Sequence, residues 1–264
     1  LLNNYSISIC SKNQNRLIKA YRYLLNFKKK NQEIYFKAID ISDEAEVKNF
    51  IKLTIKKFKK VYGLINNAGI LGPKGKFHEL DFKNWKKTVD INLYGSLFTS
   101  KNLIPHFLKN KEGKIIQLSG AGALTPMENF TAYSTSKAAV VRLADTLAEE
   151  FRDKNIQINS IAAGAINTQM LNEIIKAGPK KVGRNLFNRI KLQKKNGGVP
   201  FKKITDLIIY LLKKESNFIN GKIISPRWDR WQNWKKNKKL LQNTDAFSLR
   251  RLRGKDRGYI SGDN

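Results

Sequence analysis

A tyrosine and a lysine four residues apart are the side chains with the clearest chemical use in this sequence. Tyr133 and Lys137 stand in the run YSTSK, where apolar periodicity predicts a helix over residues 131–152. Residues four apart on a helix share a face. A buried lysine ammonium stabilises a phenolate and so lowers the pKa of a neighbouring tyrosine. The pair therefore predicts proton exchange between a phenol and a carbonyl or alcohol.

The elements that position this pair alternate between strand and helix along almost the whole chain. Strands are predicted at residues 5–10, 33–38, 63–65, 114–118, 156–161 and 222–225. Helices are predicted at residues 15–27, 44–62, 82–108, 131–152 and 204–213. Strands joined by helices of this length form a parallel sheet covered on both faces, because parallel pairing needs a long crossover. The expected fold class is α/β.

Further motifs follow one another in a recognisable order. The run NNAG covers residues 66–69, Asn92 lies in DINLYGS, Ser119 ends the strand IIQLS, and Tyr133 and Lys137 come next. In order and spacing these motifs resemble the short-chain dehydrogenase/reductase family, and the resemblance extends over nearly the whole chain. It implies a doubly wound, Rossmann-like parallel sheet with helices on both faces, which binds NAD or NADP.

The resemblance implies a role for each matching position. Tyr133 would be the catalytic acid–base, Lys137 would bind the nicotinamide ribose, Asn92 would hold a proton-relay water, and Ser119 would be the catalytic serine. Cofactor contacts are implied for Lys12, Asp40, Ile41, Asn67, Ala68, Gly69, Gly164 and Thr168. Among these, Lys12 would favour a 2′-phosphate. The alternative is structural: a tight turn for NNAG, and for Asn92 a hydrogen bond that kinks a helix.

The largest departure from the family concerns its opening strand, glycine-rich turn and helix. No Gly-x-x-x-Gly-x-Gly occurs in these 264 residues, and residues 1–4 resemble the end of the missing helix. In the doubly wound order the absent strand lies between the strands predicted at residues 5–10 and 63–65. Two buried edges without partners would cost more than a domain's whole stability. We therefore expect a strand from outside these residues, upstream or from a second polypeptide, or else a rebuilt sheet.

Two smaller departures affect the site. The family's usual serine position, thirteen residues before the tyrosine, is Gly120 here, so the hydroxyl of Ser119 is expected to point away. The family's Pro-Gly after the sixth strand is Ala163-Gly164, which loosens a turn that contacts the cofactor.

Composition describes a folded and very basic protein. Lys and Arg number 51 against 21 Asp and Glu, a net charge of +30, and 41% of residues are hydrophobic. Such a composition excludes global disorder. No apolar stretch is long enough to span a membrane. With Cys10 as the only cysteine and two separated histidines, the sequence predicts neither an intrachain disulfide nor a metal site.

The charge and the tail leave two interpretations open. Lysines can simply be solvated on helix faces, or they can attract a polyanion such as RNA. The body is expected to cover residues 1–226, followed by a basic extension, residues 227–264, that carries three of the four tryptophans. This extension is too small to fold alone. It is therefore expected to wrap the body, bind a partner, or both.

Three functions are compatible with these observations. We expect a non-catalytic component of a large RNA-containing assembly such as an organellar ribosome, with RNA or partner subunits bound and no cofactor. The alternative is an active NAD(P)-dependent oxidoreductase that uses Tyr133 and Lys137 and forms a homo-oligomer. A further alternative is an accessory subunit of a respiratory complex. The expected location is an organelle interior such as the mitochondrial matrix, with the cytoplasm as the alternative.

Overall fold

Parallel strands form two separate sheets at the centre of the protein. The computed structural model describes residues 1–164, 166–252 and 254–258, and six strands lie within these ranges. In the first sheet β1 (Ile7–Ser11) pairs with β2 (Ile34–Ala38). In the second, β3 (Gly63–Asn66), β4 (Gly113–Ser119), β5 (Ile156–Ala162) and β6 (Ile223–Ile224) pair in that order. All pairs are parallel, as the sequence predicts.

The gap between β1 and β3, called the slot below, separates the two sheets. Direct pairing of β1 with β3 would have contradicted the expected outside strand, and it does not occur in the described part of the chain. The side chain of Ile65 on β3 is 42% exposed, although strand interiors of α/β sheets are normally buried. Each sheet therefore presents a free edge to the slot.

Helices connect the strands and cover them. They are α1 (Gln14–Leu25), α2 (Glu44–Phe58), α3 (Phe82–Val89), α4 (Gly95–Asn110), α5 (Thr131–Glu150), α6 (Gln169–Val182), α7 (Arg184–Asn196), α8 (Phe201–Leu212) and α9 (Lys238–Asn243). The side chains of Asn13, Asp43 and Asp81 accept backbone N–H groups at the starts of α1, α2 and α3. Within the described ranges, none of these helices combines the length and apolarity needed to cross a membrane.

The core lies on both faces of the larger sheet. On β4, Ile115 packs in one cluster with Phe107 of α4, whereas its neighbour Ile116 packs in another with Leu207 of α8. Successive strand residues point to opposite faces, so one strand serves both clusters. The predicted α/β class with helices on both faces is confirmed.

Two helical regions of the structure differ from the prediction. The helix predicted over residues 82–108 is two helices, α3 and α4, separated by a wide, π-type turn over Asp90–Tyr94 that contains Asn92. The segment after β5, for which no helix was predicted, forms α6 and α7. Gly178 at φ 75° and Gly183 at φ 84° interrupt this segment, and Pro179 lies between them. These breakers hide the helical periodicity on either side.

The described part of the extension docks on the body. Trp231 and Trp234 are buried in the cluster that contains Leu207, whereas Trp228 is 74% exposed. The N–H of Ile223 donates to the carbonyl of Phe247 at 2.7 Å, beside the last strand. Wrapping of the body is therefore observed for this segment. Arg253 and residues 259–264 lie outside the described residues.

Candidate active site

A cleft of about 1890 Å³ runs along the slot and past the residues that follow strands β1 to β5. Eleven of the predicted site residues line it: Lys12, Asp40, Ile41, Asn67, Ala68, Gly69, Ser119, Tyr133, Lys137, Gly164 and Thr168. The exception is Asn92, which is fully buried. The fold thus gathers residues from most of the chain, because the carboxyl ends of parallel strands meet at one edge of a sheet.

Tyr133 lies in the first turn of α5 and its side chain is 9% exposed. Its hydroxyl lies directly over Gly120, where an added Cβ would be only 2.2 Å from Oη. A serine at this position would collide with the tyrosine in this packing. The lack of a side chain at Gly120 therefore leaves space for the Tyr133 hydroxyl in the cleft.

Lys137 lies one turn further along α5 and is 5% exposed. Its Nζ donates to the carbonyl of Leu118 at 2.7 Å. Burial lowers the pKa of the Lys137 ammonium to about 8. The ammonium approaches the NNAG turn so closely that a Cβ on Gly69 would lie 3.3 Å from Nζ. Lys137 thus holds the end of β4 and borders the cleft at the same time.

The pKa of Tyr133 is shifted in the direction opposite to the sequence prediction. Burial raises it above the ordinary value, and burial is the only cause. The expected lowering needs the lysine charge close to the phenol oxygen. Lys137 instead directs its ammonium at the carbonyl of Leu118. At neutral pH Tyr133 is therefore a neutral phenol and a proton donor.

Asn92 binds the chain that follows the NNAG turn. Its Oδ1 accepts the N–H of Ile70 at 2.8 Å, and its Nδ2 donates to the Ile70 carbonyl at 3.0 Å and to Ser136 Oγ at 2.9 Å. Both amide protons are used in this way. A Cβ on Gly69 would lie 3.1 Å from Oδ1, so that oxygen is the part of Asn92 nearest the turn. The bonds match the structural alternative considered for this residue.

Ser119 ends β4 with a hydroxyl that has no partner among the described residues. Its Oγ is buried, and it forms no hydrogen bond with Tyr133 in this part of the chain. A buried hydroxyl without a partner is costly. Because Ser119 borders the cleft, a bound ligand is one way to satisfy it.

Lys12 and Asp40 form an ion pair at the other end of the cleft, after β1 and β2. Burial alone would raise the pKa of Asp40, but hydrogen bonds from Lys12 and Ser42 outweigh it and hold the pKa at about 2. Asp40 Oδ1 also accepts the Ser42 hydroxyl at 2.6 Å. The Lys12 ammonium is therefore paired with the Asp40 carboxylate. Ile41 packs against Gly95, where a Cβ would approach its side chain to 3.0 Å.

The NNAG turn divides into a fixed and an open part. Asn66 is buried, and its Oδ1 accepts the Thr99 hydroxyl at 2.8 Å. Asn67 and Ala68 are exposed in the cleft. The first asparagine therefore supports the turn, and the next two residues are available to a ligand.

The end of the cleft nearest Tyr133 combines predicted residues with residues that no motif predicted. The predicted residues are Gly164, which follows β5 at φ 73°, and Thr168, the N-cap residue of α6. Arg189 and Ile190 of α7 line the same end of the cleft. The apolar spacing of Leu186, Phe187 and Ile190 was the available signal for α7.

The donor set fits a nicotinamide dinucleotide at its two ends. Ribose hydroxyls and phosphates need charged or hydroxyl partners, which Asp40 and Lys12 supply at one end and Lys137 and Ser119 at the other. Between them, the 264 residues contain no glycine-rich turn to bind the diphosphate. The fit is therefore good at both ends of the cleft and incomplete in the middle.

Comparisons with known proteins agree with this geometry. The family model described as short chain dehydrogenase matches residues 1–178. A 3-oxoacyl-(acyl-carrier-protein) reductase of Buchnera aphidicola is 31% identical over 201 residues, 76% of this chain and 78% of the relative. Levodione reductase of Leifsonia aquatica is 27% identical over 196 residues, 73% and 72% of the two chains. A crystal structure of levodione reductase superposes with a TM-score of 0.75 at 22% identity, covering 83% of this chain and 85% of that one.

Solved structures with a bound coenzyme share the fold. The structure of ElxO with NADP bound has a TM-score of 0.69 at 28% identity, covering 84% and 87% of the two chains. NAD⁺-bound xylitol dehydrogenase has a TM-score of 0.71 at 21% identity, covering 83% and 87%. The expectation that this protein has no cofactor finds no support in these comparisons.

The expected non-catalytic role in an RNA-containing assembly is wrong. The relatives are named as oxidoreductases, and nothing in the comparisons indicates a ribosomal role, a mitochondrial protein or an RNA partner. Lys48, Lys52 and Lys56, for example, lie exposed at four-residue spacing along α2. These lysines occupy the solvated face of a helix, which is the first of the two interpretations of the charge.

Proposed function

The chain belongs to the short-chain dehydrogenase family, and from that premise we propose that it is an NAD(P)-dependent oxidoreductase that interconverts a carbonyl and an alcohol. One observation carries the proposal. Tyr133 and Lys137 border one cleft from successive turns of α5, with the Tyr133 hydroxyl over Gly120. A proton donor and a cation are thus side by side where a carbonyl oxygen would develop negative charge.

The protonation states favour reduction at neutral pH. Burial raises the pKa of Tyr133, so its phenol carries the proton that a carbonyl oxygen must receive. Lys137, with its pKa lowered to about 8, is largely an ammonium at neutral pH, and it places a positive charge at the border of the same cleft. A bound reduced nicotinamide supplies the hydride. Tyr133 Oη gives its proton to the oxygen of the new alcohol.

The remaining predicted residues receive supporting roles in the proposal. Asn92 keeps the NNAG turn against α5 through Ile70, and Ser119 offers a free hydroxyl to the substrate or nicotinamide end. Lys12 and Asp40 would bind the adenosine end, with Ile41, Asn67, Ala68 and Gly69 along the wall between. Gly164 and Thr168 would meet the nicotinamide end. A 2′-phosphate would have to compete with Asp40 for Lys12.

The proposal includes a strand in the slot, supplied from outside these 264 residues. Two features support it: the unpaired edges of β1 and β3, and the exposure of Ile65 on β3. A strand paired with both edges would bury Ile65 and join the two sheets into one. The turn after that strand would reach the middle of the cleft, where no diphosphate-binding group has been identified.

Replacement of Tyr133 tests the proposed reaction. Tyr133→Phe removes the proton donor and is expected to lower kcat about 100-fold to 10,000-fold, because general acids typically contribute that much. Ketone reduction with NADPH or NADH, followed by the loss of reduced-nicotinamide absorbance, is the measurement. Tyr210→Phe, at a half-buried tyrosine that packs on Trp231, is the matched control. Wild-type kcat in Tyr133→Phe would contradict the proposal.

A further inference from the structure

A second, smaller pocket adjoins the end of the cleft nearest Tyr133. Its volume is about 490 Å³, and it lies between the loop after β4 and the start of α7. It shares Pro126, Met127, Leu186 and Arg189 with the cleft. Met127 and Leu186 belong to the same apolar cluster as Tyr133. The pocket is therefore a side chamber of the cleft, because the two share lining residues beside the apolar cluster that contains Tyr133.

The pocket is lined by more positive than negative side chains. Arg184 and Arg189 contribute two guanidinium groups, and Glu128 contributes one carboxylate. Within the ranges that the structure describes, neither arginine has an ion pair or a side-chain hydrogen bond. Lys180 and Lys181 directly precede the pocket residue Val182. The lining of the chamber therefore carries one more positive than negative side chain, and within the described ranges Glu128 pairs with neither arginine.

Guanidinium groups bind carboxylates and phosphates with two parallel hydrogen bonds, and they keep their charge at every physiological pH. Two of them in a chamber with apolar walls, such as those formed by Met127 and Leu186, suit a ligand with an alkyl part and an anionic end. Arg184 and Arg189 are solvent-exposed, so a neutral ketone would leave them hydrated and would gain no charged contact from them.

We propose that this pocket binds an anionic group, a carboxylate or a phosphate, carried by the carbonyl substrate at the end away from the reacting carbon. Arg184 and Arg189 are the specificity-determining residues. The inference rests on the proposed function. It names the substrate class: ketones with their own negative charge, and the corresponding hydroxy acids or hydroxy phosphates in the reverse direction.

The anionic group does not change charge during hydride transfer, so the arginines bind substrate and transition state alike. Their loss is therefore expected to raise KM and leave kcat nearly unchanged. A charged hydrogen bond contributes enough that each arginine is expected to account for roughly tenfold or more in kcat/KM. This pattern differs from that of Tyr133→Phe, which lowers kcat.

Two matched ketone pairs test the inference. Acetoacetate and methyl acetoacetate differ in a carboxylate, and dihydroxyacetone phosphate and dihydroxyacetone differ in a phosphate. The double variant R184Q/R189Q is expected to lose on the order of 100-fold in kcat/KM for the charged member of at least one pair, and less than about twofold for the neutral members. The pair that responds identifies the anion. Lys191→Gln is the control, since it removes one positive charge from the same helix at a side chain that lies over the Phe187 ring, 5.1 Å from its centroid.

Equal losses for charged and neutral ketones, or an equal effect of Lys191→Gln, would overturn the inference and leave the proposed function intact. Direct binding of acetoacetate and of dihydroxyacetone phosphate to the full chain, detected by saturation-transfer NMR with coenzyme present, gives a readout that needs no turnover. If no ketone is reduced but this binding disappears in the double variant, the proposed function fails and the anion site stands. If neither anion binds to the wild type, the anion site fails.

Discussion

The two sides of the cleft differ in how completely they are built. On the catalytic side every residue of β4 and all but the last of β5 are buried. On the coenzyme side no residue of β1 or β2 is fully buried, and β3 is open along the slot. The groups proposed to act as acid and base therefore lie beside a buried core, whereas the groups proposed to bind adenosine lie on sheets with a free edge between them.

The causes of the pKa shifts also differ between the two sides of the cleft. On the catalytic side, burial sets the ionisation of the key groups: it raises the pKa of Tyr133 and lowers that of Lys137. On the coenzyme side, pairing dominates, since hydrogen bonds from Lys12 and Ser42 outweigh the effect of burial on Asp40. In the proposed function, proton transfer would therefore depend on buried groups, and coenzyme binding would depend on a partly exposed ion pair.

Two isoleucines that pair across β3 and β4 give the strongest test of the difference between the two sides of the cleft. Ile65 of β3 pairs with Ile116 of β4, and they are 42% and 1% exposed. Ile116→Ala is expected to lower the free energy of unfolding by about 2–5 kcal/mol, because it empties a packed site. Ile65→Ala is expected to cost less than about 1 kcal/mol. Urea unfolding measures both.

The same pair also reports on the slot. If a strand fills it, Ile65 becomes buried and the two costs converge. Equal costs in the 264-residue chain alone would contradict the description of β3 as an open edge.

Two glycine-to-alanine changes, one on each side of the cleft, are expected to affect different kinetic constants. At Gly120 a Cβ would lie 2.2 Å from Tyr133 Oη, and the displaced tyrosine is expected to lose roughly tenfold or more in kcat. At Gly95 a Cβ would meet Ile41 at 3.0 Å, which should raise KM for the coenzyme and leave kcat nearly unchanged. Steady-state kinetics with varied coenzyme distinguish them. A lower coenzyme affinity in Gly120→Ala, with unchanged kcat, would break the distinction.

The pH dependence of stability should reflect Lys114, a lysine of β4 that is 2% exposed and donates to Asn217 at 2.6 Å. Burial lowers its pKa to about 7, while an unfolded lysine titrates near 10.5. Between these values the unfolded chain binds more protons, so stability rises with pH by up to about 1.4 kcal/mol per unit. Lys114→Met should remove this contribution.

Lys137 adds a similar slope above about pH 8, so the variant keeps part of the rise. Around Lys12 and Asp40 the slope has the same sign, but it lies at acid pH. The lowered pKa of Asp40 contributes stability above its ordinary value of 3.8, and this contribution is lost as the pH falls towards 2. Thermal unfolding across pH measures both trends. An unchanged alkaline slope in Lys114→Met would show that Lys114 is not its source.

Much of this architecture could be predicted from local patterns. Alternating strand and helix periods gave the α/β class, and the strand predicted at residues 114–118 is β4, extended by one residue at each end. The site residues were selected by the family resemblance, and eleven of them line one cleft. The α/β class could be predicted because strand and helix periodicity are properties of the backbone.

What escaped prediction depends on neighbours distant in sequence. The sequence around Asn92 does not indicate that its side chain binds the backbone of Ile70. The wide turn that contains Asn92 has the sequence pattern of a continuous helix. The direction of the Tyr133 pKa shift depends on where the Lys137 ammonium points, which the carbonyl of Leu118 decides. Helix α7 was hidden because Gly183 and Gly197, both at positive φ, bracket it. Its arginines were therefore missed as well.

The hydrogen bond from Ile223 to Phe247 has a consequence for solubility. An exposed strand edge invites pairing with other chains, and proteins usually cover or shorten such edges. Here β6 has only two residues, and the extension lies along its outer side, where Phe247 accepts the Ile223 N–H at 2.7 Å. The larger sheet is thus protected from intermolecular pairing at that end. The other edge of the larger sheet, on β3, can still pair with a strand, and this edge borders the slot beside the cleft.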